Sequence, residues 1–416
     1  MRDGGPQTER PSAGGLLPAA PFGDVRRIAV LRANALGDYM FSLPALEALR
    51  AAYPAAEIVL LGQPWHARFL QGRPGPLDRV VAVPPSRGVY VGRDGQADED
   101  PAELDAFFAR MRDEQFDLAV QLHGGGRNSN PFLLRLGARH TVGLRTPDAP
   151  ALERTVPYVY WQQEIMRTLE VVALAGAPAV TLEPRMAVME SDLAELRGVV
   201  PEGEQPWAAL HPGAGDPRRR WSPAHFAVVA DALQEAGAHV ILTGAGDEAH
   251  LAWDVLAAMR TPAMQVSDTC GRLSIGGLAG LLSRCELVVS NDSGPLHLGA
   301  AVGARTVGVY WCGNAINSGA LSRTRHRPVL SWRLDCPVCG TNCMTGNCDH
   351  RDSFVDDVTP AEVLAEVRAL LAESGSPLRV GPGEPVLERS GRVAAHAPAP
   401  AGDNDAGRKE RPCPTA

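Results

Sequence analysis

One segment of the sequence joins a short apolar run to side chains that suit anion binding: residues 288–297, Val-Val-Ser-Asn-Asp-Ser-Gly-Pro-Leu-His. The apolar run is typical of a strand buried in a parallel sheet. Ser293 suits the N-cap of a helix, and the glycine and proline after it suit the first helical positions. Such a helix start presents unpaired backbone N–H groups and the positive end of the helix dipole. Because Asp292 and His297 flank this start, we predict that it binds a nucleotide diphosphate rather than a simple ion.

Two further glycine turns carry side chains that suit a nucleotide. Residues 211–215 (His-Pro-Gly-Ala-Gly) precede three arginines at 218–220, whose guanidinium groups can hold phosphate oxygens. Residues 244–248 end in Glu248, which can accept hydrogen bonds from a ribose or a base. Each turn alone is weak evidence, since an arginine run is also typical of a solvated surface. Together they favour a nucleotide site, and the absence of a dinucleotide fingerprint or a P-loop disfavours nicotinamide and ATPase chemistry.

In the first half of the chain, Asp38 lies in a Gly-Asp turn between a predicted strand and a predicted helix. Its structural interpretation is a carboxylate at a helix start, worth about 1 kcal/mol of stability. Its functional interpretation is a general base facing a cleft. The residues alone favour the structural interpretation. The glycine run within residues 123–127 is equally open, because it either lines an acceptor site or permits a tight turn.

A series of alternating strands and helices occurs in the first half of the chain and again in the second half. These elements would position the turns described above. Strands are predicted at residues 27–31, 57–61, 79–83, 116–122, 141–144, 207–210, 239–243, 287–289 and 305–310, and helices at residues 39–52, 162–175, from 223 onward, 248–259, 275–283 and 360–373. Alternation of this kind predicts two doubly wound α/β domains, each with a parallel sheet covered on both faces.

Composition and charge indicate which segments are disordered and which partners and locations are compatible with the chain. Residues 1–24 and 374–416 are rich in Pro, Gly and Ala without periodicity, so we expect disordered tails there. The formal net charge of −8 argues against a nucleic-acid partner. No apolar run is long enough to cross a bilayer, and the N-terminus lacks a signal core, so a cytoplasmic location is expected. Peripheral contact with the inner face of the cell membrane stays open.

Four cysteines crowd into residues 336–348 with the spacing C-x2-C-x3-C-x4-C: Cys336, Cys339, Cys343 and Cys348. Thiolates at this spacing fit a zinc or iron–sulfur site. A disulfide pair and free thiols in a loop are the competing interpretations. A metal here would be structural, because the segment follows the last predicted strand and lies apart from the glycine turns.

Three motifs, occurring in order, resemble glycosyltransferase family 9, the ADP-heptose:lipopolysaccharide heptosyltransferases. They are residues 28–32 with 35–38 and 43–46, residues 211–214 with 219–223, and residues 289–297. The resemblance spans about residues 27–373. It implies a GT-B architecture, in which an acceptor domain (25–200) and a nucleotide-sugar domain (201–350) face a cleft, followed by a C-terminal helix (351–373).

The resemblance also implies roles for individual residues. The family's base falls on Asp38, which reverses the expectation from the residues alone. Its phosphate-binding Lys falls on Arg219, where a forked guanidinium replaces a point charge. Its nucleoside-binding Glu falls on Glu248. Its diphosphate-binding segment falls on Asp292, Ser293, Gly294 and His297.

The activity implied is inverting, metal-independent transfer of a sugar, heptose in most of the family, from a nucleotide-diphosphate donor to a glycan or glycolipid. ADP-heptose is the favoured donor, no cofactor is required, and the acceptor is left undetermined. One alternative is a non-catalytic protein of the same fold that binds sugar nucleotides or glycans. Another is a metal-binding interaction protein organised around residues 336–348.

Overall fold

In residues 19–91 and 99–201, which the structure describes, the first domain has six parallel strands. They are β1 (Arg27–Leu31), β2 (Glu57–Gly62), β3 (Arg79–Ala82), β4 (Leu118–Gln121), β5 (His140–Arg145) and β6 (Arg154–Pro157). The same residues form the helices α1 (Leu36–Ala52), α2 (Pro64–Leu70), α3 (Pro101–Asp113), α4 (Ser129–Leu134), α5 (Glu164–Ala173) and α6 (Glu190–Ala194). The strand order β3-β2-β1-β4-β5-β6 is that of a doubly wound sheet, with its switch point between β1 and β4.

The second domain repeats this plan. Its strands are β7 (Trp207–His211), β8 (His239–Leu242), β9 (Val266–Asp268), β10 (Cys285–Asn291), β11 (Thr306–Trp311) and β12 (His326–Ser331). Its helices are α7 (Pro223–Glu235), α8 (Ala249–Ala258), α9 (Ile275–Arg284), α10 (Gly294–Ala301), α11 (Cys312–Ser318) and α12 (Pro360–Glu373). The order β12-β11-β10-β7-β8-β9 is the same topology, with its switch point between β10 and β7.

The computed structural model describes residues 19–91, 99–201, 203–261 and 265–381. Within them the predicted fold class, two doubly wound parallel-sheet domains, is confirmed. The sequence analysis missed three strands (β6, β9 and β12) and five helices (α2, α3, α4, α6 and α11). Of the helices missed, α3 opens at Pro101 and is capped by Asp100, which accepts from the N–H groups of Ala102 and Glu103.

The described parts of the predicted tails pack against the domains. Phe22 is buried, its ring stacks on His140 at 4.1 Å, and its N–H donates to the Tyr53 hydroxyl at 3.1 Å. At the other end Leu378 and Val380 are buried in the second core, which also includes α12. Order therefore extends beyond the expected boundaries at 24 and 374. Residues 1–18 and 382–416 lie outside the described residues.

Among the described residues, no helix combines the length and the apolar character that crossing a bilayer requires.

The two domains meet where α1 and α10 begin, and glycines permit the approach. A Cβ on Gly37 would lie 3.1 Å from His297 Cδ2 and 3.7 Å from Gly294 Cα. A Cβ on Gly294 would lie 3.0 Å from Leu36 Cβ. One apolar cluster runs from α1 into α10, through residues such as Phe41 and Leu298. The first turns of the two helices are therefore held side by side across the domain boundary.

The turn between β1 and α1 is held by a buried histidine. Nδ1 of His123, just after β4, accepts from the Ala33 N–H at 3.2 Å. Burial and, to a smaller extent, the charge of Arg32 lower the pKa of His123 to about 3, although a hydrogen bond with the Gly88 backbone opposes the shift. The imidazole is therefore neutral in the folded protein at neutral pH and fits an acceptor role.

A Gly294→Val variant should be less stable by about 1–3 kcal/mol, because its side chain must displace Leu36. Denaturant unfolding measures the change. Gly299→Ala on the same helix is the matched control, since its Cβ would make an ordinary 3.5 Å contact with Val288. The control should be neutral or slightly stabilising, by up to about 1 kcal/mol. A Gly294→Val protein as stable as the parent would contradict the close packing of α1 and α10.

The depressed pKa of His123 also predicts a pH dependence. The unfolded chain takes up a proton below the ordinary value of 6.5, whereas the folded protein resists protonation down to about 3. This contribution to stability is therefore complete above 6.5 and is lost as the pH falls towards 3. His123→Gln should show a shallower loss of unfolding free energy between about pH 7 and about pH 5. His250→Gln, at the exposed start of α8, is the control, and equal slopes in all three proteins would refute the prediction.

Candidate functional site

The three glycine turns of the second half share one edge of the second sheet. Residues 211–215 follow β7, residues 244–248 follow β8 and residues 292–297 follow β10. These three strands are neighbours in the sheet and run parallel, so their carboxyl ends lie together. Two of the turns flank the switch point between β10 and β7, where doubly wound sheets bind ligands.

A buried carboxylate organises the start of α10. Oδ1 of Asp292 lies 3.0 Å from His297 Nε2 and accepts from the Ser318 hydroxyl at 3.0 Å, while its Oδ2 lies 3.4 Å from an Arg219 nitrogen. Burial raises the pKa of Asp292, but the hydrogen bond and charge of His297, together with Arg219, leave that pKa below its ordinary value. Asp292 is therefore ionised and holds two cationic or hydrogen-bonding side chains at the helix start.

The three neighbouring arginines have separate partners. Arg218 forms a two-pronged ion pair with Asp216, at 3.0 and 2.6 Å to Oδ2. Arg220 donates through Nε to the Ala214 carbonyl at 2.9 Å. Arg219 alone among the three turns towards Asp292, with about a third of its side chain exposed. The three arginines therefore do not form a uniform solvated surface. Arg218 and Arg220 stabilise the loop, whereas the charged group of Arg219 is partly exposed beside α10.

Asn291 ties these turns together, and the sequence analysis assigned it no role. Its side-chain oxygen accepts from the Trp221 N–H at 3.0 Å, and its Nδ2 donates to the Pro212 carbonyl at 2.8 Å. Trp221 is itself buried and donates through Nε1 to the Val358 carbonyl at 2.7 Å. The position of Asn291 at the end of β10, directly before Asp292, was the available signal. Ser318, by contrast, lies at the end of α11, a helix that the sequence did not indicate.

Glu248 lies over the first glycine turn. Its Oε2 accepts from the Ala245 N–H at 3.0 Å, and a side chain at Gly213 would collide with its carboxylate. His211 beside it is buried, and its Nδ1 lies 2.9 Å from the Thr243 carbonyl. Burial lowers the pKa of His211, although the charge of Glu248 opposes this. The absence of a side chain at Gly213 therefore lets the carboxylate reach the cleft.

A cleft of about 1010 Å³ separates the domains at this edge. Glu248, Ser293 and Gly294 line it from the second domain, and Trp65 and Arg68 line it from the first. A volume near 1000 Å³ accommodates a ligand larger than a simple ion or a single monosaccharide.

Asp38 occupies the first turn of α1, next to the glycine that contacts α10. Its Oδ1 accepts from Arg32 at 3.0 Å and its Oδ2 from the Ala35 N–H at 3.3 Å, and about a third of the side chain is exposed. Arg32 is buried and also lies 3.4 Å from Glu164 on α5. Asp38 therefore fulfils the helix-start role and still presents a carboxylate outwards. No pattern in the sequence indicated the participation of Glu164.

The predicted site residues fall into three connected groups. Arg219, Asp292 and His297 form one polar cluster, and Ser293, Gly294 and Glu248 line the cleft beside it. Asp38 is joined to them by the packing of Gly37 on His297.

The glycine run of the first domain is a tight turn. Gly124 and Gly126 have positive φ angles of 62° and 94°, which side-chain-bearing residues rarely adopt. Gln121 donates to the Gly124 carbonyl at 3.0 Å and so helps to hold the turn.

The cysteine segment differs from its prediction in one member. Ligand atoms of Cys336, Cys339, Cys348 and His350 lie within 4.8 Å of one another. Cys343 is not part of this group, because its Sγ lies 3.4 Å from the Thr341 carbonyl instead. The structure therefore groups three of the four predicted cysteines with His350, and the binding of a metal stays a prediction. The C-x-H spacing of 348–350 carried the signal, since His350 directly follows the segment.

Comparison with known proteins gives the family. The sequence profile of glycosyltransferase family 9 (heptosyltransferase) matches residues 105–332, more than half of the chain. Lipopolysaccharide heptosyltransferase 2 of Escherichia coli (strain K12) is 24% identical over 367 residues, which cover 83% of this chain and 99% of that protein. Lipooligosaccharide heptosyltransferase 2 of Campylobacter jejuni is 32% identical over 175 residues, covering 40% and 51% of the two chains.

Two solved structures share the fold. The ADP-heptose LPS heptosyltransferase II of E. coli superposes with a TM-score of 0.66 at 21% identity, covering 84% of this chain and all of that one. A family 9 glycosyltransferase of Veillonella parvula gives a TM-score of 0.67 at 19% identity, covering 84% and 97%. The expected GT-B architecture, with two Rossmann-like domains facing a cleft, is thereby confirmed. The chain belongs to glycosyltransferase family 9, the heptosyltransferase family, and is a glycosyltransferase.

Proposed function

We propose that this enzyme transfers heptose, with inversion and without a catalytic metal, from ADP-heptose to a glycan or glycolipid acceptor. The observation that carries the proposal is the junction of α1 and α10. There Asp38 lies one residue from the contact of Gly37 with the helix start that holds His297, and Asp292 draws Arg219 to the same helix. The relatives named as heptosyltransferases 2 support the choice of sugar.

The donor would lie along the second domain with its diphosphate at the start of α10. Ser293 and Gly294 offer backbone N–H groups and the positive end of the helix dipole there. Arg219 supplies a guanidinium beside them, and Glu248 accepts from the ribose or the base at the far end of the cleft. Asp292 holds Arg219 and His297 rather than meeting the phosphates, because its own charge would repel them.

The reaction then needs one base and one leaving-group site. The acceptor hydroxyl gives its proton to Asp38 and attacks the anomeric carbon from the face opposite the diphosphate. A bond forms between that oxygen and the anomeric carbon as the bond to the phosphate oxygen breaks, and ADP leaves with the electron pair. The configuration at the carbon is inverted. Glycan or glycolipid acceptors would enter from the first domain.

Fixed donors stabilise the charge that develops on the diphosphate. Asp292 holds Arg219 and His297, and the helix itself fixes the N–H groups at the start of α10, so these donors are preorganised for the reaction. Loss of one such donor typically costs about 10²–10³ in rate. In other transferases a divalent cation neutralises the charge on the leaving diphosphate. Because these groups can do so here, we propose metal-independent transfer. A lipid-linked acceptor would place the enzyme in the cytoplasm, at the inner face of the membrane.

ADP-heptose should raise the melting temperature of the enzyme more than UDP-sugars or GDP-sugars at equal concentration. Stabilisation by a ligand follows its affinity and reaches about 2.7 kcal/mol at a hundredfold excess over Kd. A thermal-shift series over these donors measures it. A response confined to UDP- or GDP-sugars would overturn the donor assignment.

Arg219→Ala should reduce the ADP-heptose shift, since it removes the guanidinium beside α10. Arg323→Ala is the matched control. Arg323 is an exposed arginine of the same domain, paired with Glu366 at 3.5 Å and remote from the glycine turns. An undiminished shift in Arg219→Ala would argue against the diphosphate position.

Asp38→Asn should lower the rate of transfer by about 10²–10⁴, the usual contribution of a general base. The amide oxygen can still accept from Arg32, so the thermal shift with ADP-heptose should persist. Release of ADP in the presence of acceptor measures transfer. Asp100→Asn, the same change at the start of α3, is the control and should leave the rate unchanged. Transfer at the parental rate in Asp38→Asn would show that the base lies elsewhere, and loss of donor binding would show a structural role instead.

A further inference from the structure

Outside the cleft, the described residues bring together one group of side chains with the chemistry of a metal site. Cys336, Cys339, Cys348 and His350 each direct one ligand atom to a common point, with all four atoms within 4.8 Å of one another. Tetrahedral coordination at a Zn–S length of about 2.3 Å needs ligand atoms roughly 3.8 Å apart. The observed spacing fits such a cage with little adjustment.

The backbone around the first two cysteines is folded as a closed turn. The Cys336 N–H donates to the Thr341 carbonyl at 2.8 Å, and the Gly340 N–H donates to the Cys336 carbonyl at 2.9 Å. Gly340 follows Cys339 with a φ of 71°, a conformation that favours glycine. The turn thus brings the two thiols to the same side of the loop.

His350 supplies an independent sign of a missing partner. Its Nδ1 is buried and has no hydrogen-bond partner among the described residues. A buried polar nitrogen without a partner is unfavourable, because it has lost its hydrogen bond to water and gained nothing in return. A cation bound at Nδ1 would remove this cost and would explain why the imidazole lies among three thiols rather than in solvent.

The donor set selects the metal. Three thiolates and one imidazole form one of the common closed sets of structural zinc, whereas iron–sulfur clusters are held by four thiolates or by two thiolates with two imidazoles. No ligand position is left for water, so such an ion would be structural rather than catalytic.

The segment after His350 connects this group to the arginine loop. Ser353 donates its hydroxyl hydrogen to the Arg220 carbonyl at 2.6 Å, and the Phe354 N–H donates to the Arg218 carbonyl at 2.8 Å. Asp356 accepts from the Ser222 N–H at 3.0 Å. Only two residues separate His350 from Ser353. If His350 is held in place, the segment at 353–354, which binds the backbone on both sides of Arg219, is therefore held as well.

We propose that Cys336, Cys339, Cys348 and His350 bind one structural zinc ion, which anchors the arginine loop of the donor site. The ion would cross-link the loop after β12 to the chain just before the segment at 353–356. Its effect on the donor is indirect, through the backbone of residues 218–222. This second part rests on the proposed function, whereas the binding of zinc does not.

Metal analysis of the purified full-length chain tests the site directly. We expect one zinc per chain, and loss of the zinc in Cys348→Ser and His350→Ala. His350→Cys should retain it, because four thiolates also form a closed zinc site. Cys343→Ser is the matched control: it removes a thiol from the same loop but outside the group, and it should retain a full complement of zinc.

Three outcomes would overturn the proposal: a parent protein without zinc, a disulfide among these cysteines in the intact mass, or a Cys343→Ser protein as depleted as Cys348→Ser. Cobalt substitution gives a second readout, since a tetrahedral thiolate site shows intense charge-transfer and d–d bands that an octahedral surface site lacks.

The effect of zinc on donor binding is measured by titrating the zinc-loaded and zinc-free proteins with ADP and comparing the two affinities. Loss of the ion should weaken ADP binding by about tenfold, within the usual range of coupling between two sites. Equal affinities with zinc present only in the loaded protein would refute the anchoring role. Absence of ADP binding to either protein would count against the proposed donor, while the zinc content would still decide the metal site.

Discussion

The close approach of α1 and α10 is the constraint on which the rest of this structure depends. Two helix starts from different domains meet at Gly37 and Gly294, where a side chain at either position would crowd the facing residue. The contact brings the first turn of each helix, with its unpaired N–H groups and dipole, to one place. Asp38 on one side and His297 on the other are then neighbours across a domain boundary, although about 260 residues separate them along the chain.

The doubled topology explains why these two helix starts can meet. Both sheets have the same strand order, so each has its switch point beside its first strand. In each domain the turn at that point begins a helix, which is α1 after β1 and α10 after β10. When the two carboxyl edges face each other, the switch points are opposed. Buried polar groups then fix the turns: His123 holds the turn before α1, and Asn291 braces the turns around α10.

The sequence indicated much of this arrangement and missed parts for identifiable reasons. Strands such as β1 and β10 contain an uninterrupted apolar run with a turn after it, so their type and end could be predicted. By contrast, β9 has three half-buried residues, and β12 contains Pro328 and three charged or polar residues, so neither strand shows a clear apolar pattern. The short helix α11 has no N-terminal signal, so its Ser318 could not be connected with Asp292.

The site residues divide in the same way. Asp292, His297 and Arg219 lie in motifs adjacent to strands, so their convergence followed from parallel strand order. Spacing along the chain could not decide whether Cys343 or His350 is the fourth member of the cysteine group. Both residues are close enough along the chain, and only the path of the loop selects between them. Similarly, the contact of Arg32 with Glu164 joins elements about 130 residues apart and depends on how α5 packs on α1.

The burial of Asp292 has a consequence for the protein without its ligand. Arg219 is partly buried, and an uncompensated charge in such a position is costly. Asp292 acts as an internal counter-ion for Arg219 and so removes that cost. In the proposed donor site, a diphosphate would therefore compete with the Asp292 carboxylate for the same nitrogen of Arg219. Part of the attraction for the proposed donor is thereby given up in favour of the stability of the folded chain.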